Sequence, residues 1–184
     1  MKSPRTVKQL LKSLQGITIQ KSFYRFVGIK YINNLLSCVG SLDGGRYNLK
    51  NTFEVLYMAP DPETAIAETI KPHNFKLPPK IIITIDVIFQ NILNLEDQYV
   101  LEHLGLKTKQ LFCSWRIPSD KETYTQTLGR IIHETKIFEG IRYPSVIVKN
   151  KYNLGIFPDR LRKGSRIKIY DPQKLVKQII SGKH

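Results

Sequence analysis

Residues Leu42–Thr69 read LDGGRYNLKNTFEVLYMAPDPETAIAET. Paired glycines present Arg46, and glycine there permits positive φ and close approach of a ligand to the backbone. Phe53–Ala59 is an aromatic, apolar run that predicts a strand. Asp61-Pro62-Glu63 predicts a helix start: Asp61 can cap, Pro62 suits the first helical position, and Glu63 complements the positive helix end. The helix runs to about Ile70 and Pro72 stops it. Loop, strand and helix thus follow one another, and they carry Arg46, Tyr57 and Glu68.

Upstream, Val7–Leu14 has helical apolar spacing and Phe23–Val27 reads as a short strand carrying Arg25. Residues 28–52 read as loop with weak helix around Ile32–Leu36. Downstream, Lys80–Phe89 alternates Ile83, Ile85 and Val87 against Thr84 and Asp86, which predicts a strand. Glu96–Leu104 predicts a helix ended by Gly105, and Glu122–Phe138 the longest helix, with Leu128, Ile131, Ile132 and Thr135 on one face. Ser114–Ser119 reads as loop. Val146–Val148, Leu154–Phe157 and Arg166–Tyr170 read as short strands, and Pro172 opens a last helix through Ile180. Strands and helices are interspersed without strict alternation. That predicts an α+β fold, a single mixed domain around one central twisted sheet. No repeat or low-complexity linker divides the 184 residues, so the chain reads as one domain, with a core over about 20–162 and a basic C-terminal strand and helix over about 163–182.

Lys and Arg number 29 against 15 Asp and Glu, a formal net charge of +14. Such a surface attracts nucleic acid, an acidic protein or a phosphate-bearing ligand. From Lys149 onward there are ten basic residues and two acidic ones, Asp159 and Asp171. This is either a solvated basic face or a partner surface. Cys38 and Cys113 lack metal spacing and read as small buried thiols, in keeping with a reducing compartment. The N-terminus has no continuous apolar core of a secretory signal, and Ile81–Phe89 is too short to span a bilayer. The expectation is a soluble, cytoplasmic protein with no membrane partner.

Familiar motifs fail. There is no GxxxxGK[ST] loop, no GxGxxG after a strand and no GxSxG elbow. The histidines, His73, His103, His133 and His184, have no metal-ligand spacing, so no metal site is expected. Taken locally, Gly44–Asn48 is a tight turn with an exposed arginine, or a loop that offers Arg46 to a carboxylate or phosphate. Glu68 either faces solvent or points from a face of small residues, Thr64 and Ala65, into a pocket. Ser145, in Tyr143-Pro144-Ser145-Val146, either starts a strand or binds a polar ligand.

In combination these blocks resemble the RES-domain toxins of bacterial toxin–antitoxin modules, named for an Arg, a Glu and a Ser. The resemblance runs from about Phe23 to Leu161. Phe23-Tyr24-Arg25 matches the early aromatic–arginine element, and Gly44-Gly45-Arg46-Tyr47-Asn48 looks like the family's GGRWN, with Tyr47 in place of Trp. Leu56-Tyr57-Met58-Ala59 and Ala65-Ile66-Ala67-Glu68 look like its LY strand and glutamate helix. Trp115, Thr127-Leu128-Gly129, Gly140–Ser145 and Asn153–Phe157 resemble the later blocks.

The resemblance implies an ADP-ribosyltransferase-like fold, a pocket for NAD as substrate, and cleavage of its nicotinamide–ribose bond by hydrolysis or phosphorolysis. Some members instead transfer ADP-ribose to a protein. It also implies an Xre-like antitoxin that covers the active site. On this reading Glu68 and Arg46 are catalytic, and Arg25, Tyr57 and Ser145 bind the substrate. Breaking the glycosidic bond leaves positive charge on the ribose, which an ionised Glu68 stabilises. Arg25 and Arg46 face the pyrophosphate or the ribose, Tyr57 stacks on the nicotinamide or bonds through its phenol, and Ser145 bonds the amide or ribose. No metal is needed because nicotinamide leaves readily. The competing class is a basic nucleic-acid-binding protein, with Tyr152 and Tyr170 near cations. It predicts steep salt dependence but gives Glu68 no role. Under the toxin reading nucleic acid is not a direct partner.

Overall fold

A computed structural model describes residues 2–38, 43–70, 78–116, 121–174 and 179–182. Helix α1 spans Pro4–Leu11, capped by the Ser3 hydroxyl, and buries Val7 and Leu11. Strand β1 spans Ile17–Gly28 and passes into a 3-10 turn over Ile29–Asn34. Strand β2 is Leu56–Met58 and helix α2 is Pro62–Ile70. Strand β3, Lys80–Asn94, is the spine of the molecule. Helices α3 (Gln98–Leu104), α4 (Thr108–Leu111) and α5 (Tyr124–Thr135) follow. Strands β4 (Gly140–Pro144), β5 (Tyr152–Ile156), β6 (Arg166–Ile169) and β7 (Ile179–Ser181) complete the described elements.

The strands form one mixed sheet in the order β2-β5-β4-β3-β6-β7, with β1 on the other edge of β3. Only β3 and β4 run parallel among the described pairs. Tyr24 of β1 also exchanges two backbone hydrogen bonds with Ala59, at 2.8 and 2.9 Å. This contact closes β1, β3, β4, β5 and β2 into a ring. The fold is α+β, as the interspersed pattern predicts.

Two apolar cores flank the sheet. One gathers α1, α3 and α5 around Leu93, Leu95 and Ile141; the other gathers Phe23, Ile85, Phe89, Leu154 and Ile167. Ile83, Ile85, Val87 and Phe89 all face the second core, and then the phase slips, so that Ile92 follows Phe89 on the same face. The slip is a bulge: Ile19 pairs with Phe89 but Ile17 with Ile92. The wholly buried carboxylate of Glu139 holds it. Oε2 accepts Gln90 N at 2.7 Å and Asn91 N at 2.8 Å, and Oε1 accepts Arg162 N at 2.8 Å. On this edge β6 pairs with residues 85–88 and β4 with residues 92–94. A carboxylate therefore serves as the missing ladder partner between them. The sequence pattern predicts a strand end at Phe89 because alternation stops there; the strand continues across the bulge to Asn94.

Two expected elements differ. Val146–Val148 is a bend, not a strand. The Ser145 hydroxyl accepts Ile147 N at 3.2 Å and Val148 N at 2.9 Å, and this local bonding replaces a ladder. The helix expected through Ile180 is not formed at its end: Ile179–Ser181 is a strand paired antiparallel with β6, where Ile180 faces Ile167. Pairing an edge strand outweighs helix propensity for two consecutive isoleucines. Residues 175–178 of that expectation, His73, His184 and the Pro72 stop lie outside the described residues. Part of the C-terminal basic excess is structural. Arg160 pairs with Asp159 at 3.3 Å, and Arg162 Nη2 donates to Ile137 O.

Candidate active site

The Gly44–Asn48 loop is folded by its own polar groups. Gly44 has φ of +95°, and a Cβ on Gly45 would lie 2.6 Å from the Tyr57 ring and hydroxyl. That closeness lets Tyr57 Oη accept Tyr47 N at 2.9 Å and donate to Asn48 Oδ1 at 2.9 Å. Gln126 of α5 donates to Gly45 O at 3.0 Å from below. The Tyr57 phenol is therefore committed to the loop, and burial raises its pKa strongly. Its ring remains on the cavity wall.

Arg46 Nη1 donates to Leu111 O and Cys113 O, both at 3.0 Å. The guanidinium thus anchors the end of α4 to the loop. Arg25 spends its donors in the same way, with Nη1 on Leu35 O at 3.0 Å and both terminal nitrogens 3.3 Å from Ser37 O. Burial lowers the Arg25 pKa, opposed by Cys38. Burial in turn pushes the Cys38 thiol up to about 11, opposed by Arg25, which leaves it an inert core group. Cys113 is half-buried.

Glu68 rises from α2. The helix begins as expected, with Asp61 Oδ1 accepting Thr64 N at 2.8 Å and Pro62 in its first turn. Thr64 and Ala65 are buried, and Ala65, Glu68 and Thr69 line a cavity. Ser145 Oγ donates to Glu68 Oε1 at 2.6 Å and Asn153 Nδ2 donates to the same oxygen at 2.7 Å. Oε2 accepts nothing from the described residues. A carboxylate fixed by one oxygen keeps the other for a ligand.

The cavity, about 280 Å³, lies between β1, the Gly44–Arg46 loop, β2, α2 and the residues around Tyr143. It brings Arg25, Arg46, Tyr57 and Glu68 together; Ser145 stands behind Glu68 and does not line it. Three further polar residues of the wall stand out. Asn153 is read in the sequence only as part of a strand. Tyr143, whose ring packs 4.7 Å from that of Tyr47, reads only as part of a loop. Arg116 lies over Trp115, 4.2 Å from the ring centroid, in a segment with no periodic signal. Partial desolvation at the cavity wall lowers the Arg116 pKa, Arg46 lowers it further, and Glu68 opposes them.

Among the described residues no three His, Cys, Asp or Glu side chains come together as metal ligands. His133 packs against Phe53 and Phe157, with Nε2 3.0 Å from Asp159 Oδ2, and lines no part of the cavity. No helix among the described residues is long and apolar enough to cross a membrane.

The family model described as RES domain matches residues 22–177. The chain belongs to the RES-domain family. Its match runs from the middle of β1 through β6 and includes every described residue of the cavity wall. Among solved structures, one from the M. tuberculosis MbcT–MbcA toxin–antitoxin complex superposes with a TM-score of 0.67 over 90% of each chain, at 18% identity. That likeness shows a shared fold. No curated protein sequence matches the chain.

Proposed function

We propose that this RES-domain protein is the toxin of a toxin–antitoxin pair and that it consumes NAD by cleaving the nicotinamide–ribose bond. The observation that carries the reading is the Glu68 carboxylate, held at Oε1 by Ser145 and Asn153 with no partner for Oε2 among the described residues, on a cavity wall with Arg25, Arg46 and Arg116. Small-molecule pockets span about 300–1,000 Å³, so a cavity of about 280 Å³ fits one end of a dinucleotide.

The nicotinamide–ribose end enters beside Tyr57 and Tyr143, whose rings form the apolar wall. The glycosidic C–N bond breaks, its electron pair neutralises the nicotinamide ring, and positive charge develops on the ribose. Glu68 Oε2 stabilises that charge. Because Ser145 and Asn153 hold the other oxygen, little reorganisation is needed at that moment, and a single preorganised group of this kind supplies about 3 kcal/mol. Water or phosphate then attacks the ribose carbon; with water the products are nicotinamide, ADP-ribose and a proton. Arg46 contributes its charge and, through Leu111 and Cys113, the shape of the cavity edge. Arg25 does the same for the Leu35–Ser37 segment, and Ser145 acts on the substrate through Glu68.

The partner is a protein antitoxin, Xre-like in type, which closes the cavity in the cytoplasm of the host. Exposed Lys163, Arg166 and Lys168 supply a basic surface for steering it, beside Arg160, which pairs with Asp159, and Arg162, which donates to Ile137 O. The test is incubation of antitoxin-free protein with NAD and chromatography of the products. Nicotinamide release supports the reading; a folded protein that leaves NAD intact overturns it.

A further inference from the structure

The cavity has three arginines on its wall, and two are anchored to backbone carbonyls: Arg25 by Nη1 and Nη2 to Leu35 and Ser37, Arg46 by Nη1 to Leu111 and Cys113. Arg116 differs. Its guanidinium makes no hydrogen bond to the described residues, it is exposed, and it lies over the Trp115 ring. A guanidinium on an aromatic face is held in place by the ring while its N–H donors, which lie in its own plane, stay available to an acceptor. Among the described residues it is the one wall arginine whose whole guanidinium carries no hydrogen bond, and its exposure puts it at the mouth.

Its surroundings select for an anion. Among the described residues, the wall sets one acidic side chain, Glu68, against Arg25, Arg46 and Arg116. Like charge from Arg46 disfavours the Arg116 cation, and an entering anion relieves that repulsion. Glu68, in contrast, repels an anion placed beside it. The two demands separate along the cavity, with positive charge developing at Glu68 and negative charge held at the rim.

We propose that Arg116, seated on Trp115, is the residue that binds the pyrophosphate of the dinucleotide, so that phosphorylated substrates are distinguished from bare nucleosides at the rim. This rests on the NAD reading above and deepens it. Arg25 and Arg46 add to the field there but act mainly by ordering the segments they hold.

The test uses Arg116→Gln and Arg116→Lys in the full chain. ADP-ribose binding is measured by titration calorimetry, and kcat/KM is compared for NAD and for nicotinamide riboside, which has the same scissile bond without phosphate. Loss of a charge-assisted hydrogen-bond pair weakens ADP-ribose binding roughly tenfold to a hundredfold in Arg116→Gln, and less in Arg116→Lys. The preference for NAD over the riboside falls by a similar factor. Wild type that does not bind ADP-ribose, or a folded Arg116→Gln that binds it as wild type does, overturns the assignment. Arg116-dependent ADP-ribose binding without NAD cleavage would sink the cleavage reading and leave this site standing. Cleavage with unchanged binding in Arg116→Gln would do the reverse.

Discussion

Ser145 Oγ lies 2.6 Å from Glu68 Oε1, across 77 residues of chain. Ser145 belongs to the bend after β4, and its hydroxyl also accepts Ile147 N and Val148 N, so the donor proton has one direction left to point. The bend thereby aims the hydroxyl at the carboxylate. Replacing Ser145 with Ala loosens Glu68 without removing its charge. The expected outcome is a fall in kcat of about tenfold with a small change in KM, since misplacement of a catalytic group by about 1 Å is costly. Asn153→Ala should behave alike. Because both donors hold one oxygen, the double variant should lose less than the product of the two single losses. Initial rates of nicotinamide release check this.

The second expectation concerns the bulge in β3. Glu139 accepts three backbone N–H groups with its two oxygens and is wholly buried. Glu139→Gln turns one oxygen into an NH₂ that faces backbone donors. Each charge-assisted bond of this kind is worth about 1.5–3 kcal/mol, so the variant should lose about 3 kcal/mol in urea unfolding. A loss within the scatter of a surface substitution would remove Glu139 as the brace between β4 and β6.

Tyr47 gives an opposite sign. Its ring is wholly buried against Tyr143, and its hydroxyl has no hydrogen-bond partner among the described residues. Burial raises its pKa far above the ordinary phenol value. A buried hydroxyl without a partner costs on the order of 1–3 kcal/mol. Tyr47→Phe removes the polar atom, keeps the ring, and should raise Tm. An unchanged or lower Tm would mean that the hydroxyl is satisfied in solution.

At the start of α2, burial would raise the Asp61 pKa, but hydrogen bonds from Lys151 and from Thr64 outweigh it and hold the carboxyl at about 2 instead of 3.8. The folded state therefore favours the ionised form. Its contribution is fully present above the unfolded value and is lost as pH falls through the folded one. Asp61→Asn keeps a good helix cap but removes the charge. Wild type should exceed this variant in stability above about pH 4, and the difference should close towards pH 2. Chemical denaturation across that range reads it; a difference independent of pH would assign the effect to packing.

The parts of the fold that were legible carry their signal locally. Asp61-Pro62-Glu63 specifies where α2 begins, and Gly105, at φ of +69°, where α3 ends. The illegible parts depend on distant partners. Strand β1 starts at Ile17, upstream of its apolar run, because β3 is long enough to pair with its polar half. The slip at Gln90 and Asn91 is set by a carboxylate 48 residues away from Asn91. Ile179–Ser181 is a strand because β6 offers an edge. The same division holds at the cavity. Arg46, Tyr57 and Glu68 lie on adjacent elements and stand together in the sequence, but the commitment of the Tyr57 phenol to Tyr47 N and Asn48 Oδ1, and of both early arginines to backbone carbonyls, follows from tertiary contacts. Arg116 sits in a stretch without periodicity, where nothing local sets it apart from a solvated arginine.

The decisive measurement is nicotinamide release from NAD by wild type and by Glu68→Gln, with Tm recorded for each. Glutamine preserves the volume and an oxygen for Ser145 while removing the charge. Cleavage by wild type and a fall of about 10²–10³ in kcat for a folded Glu68→Gln are the predicted result, the scale of losing one preorganised stabilising group. A folded Glu68→Gln that cleaves NAD at the wild-type rate would contradict the assignment of Glu68 as the group that stabilises the breaking bond.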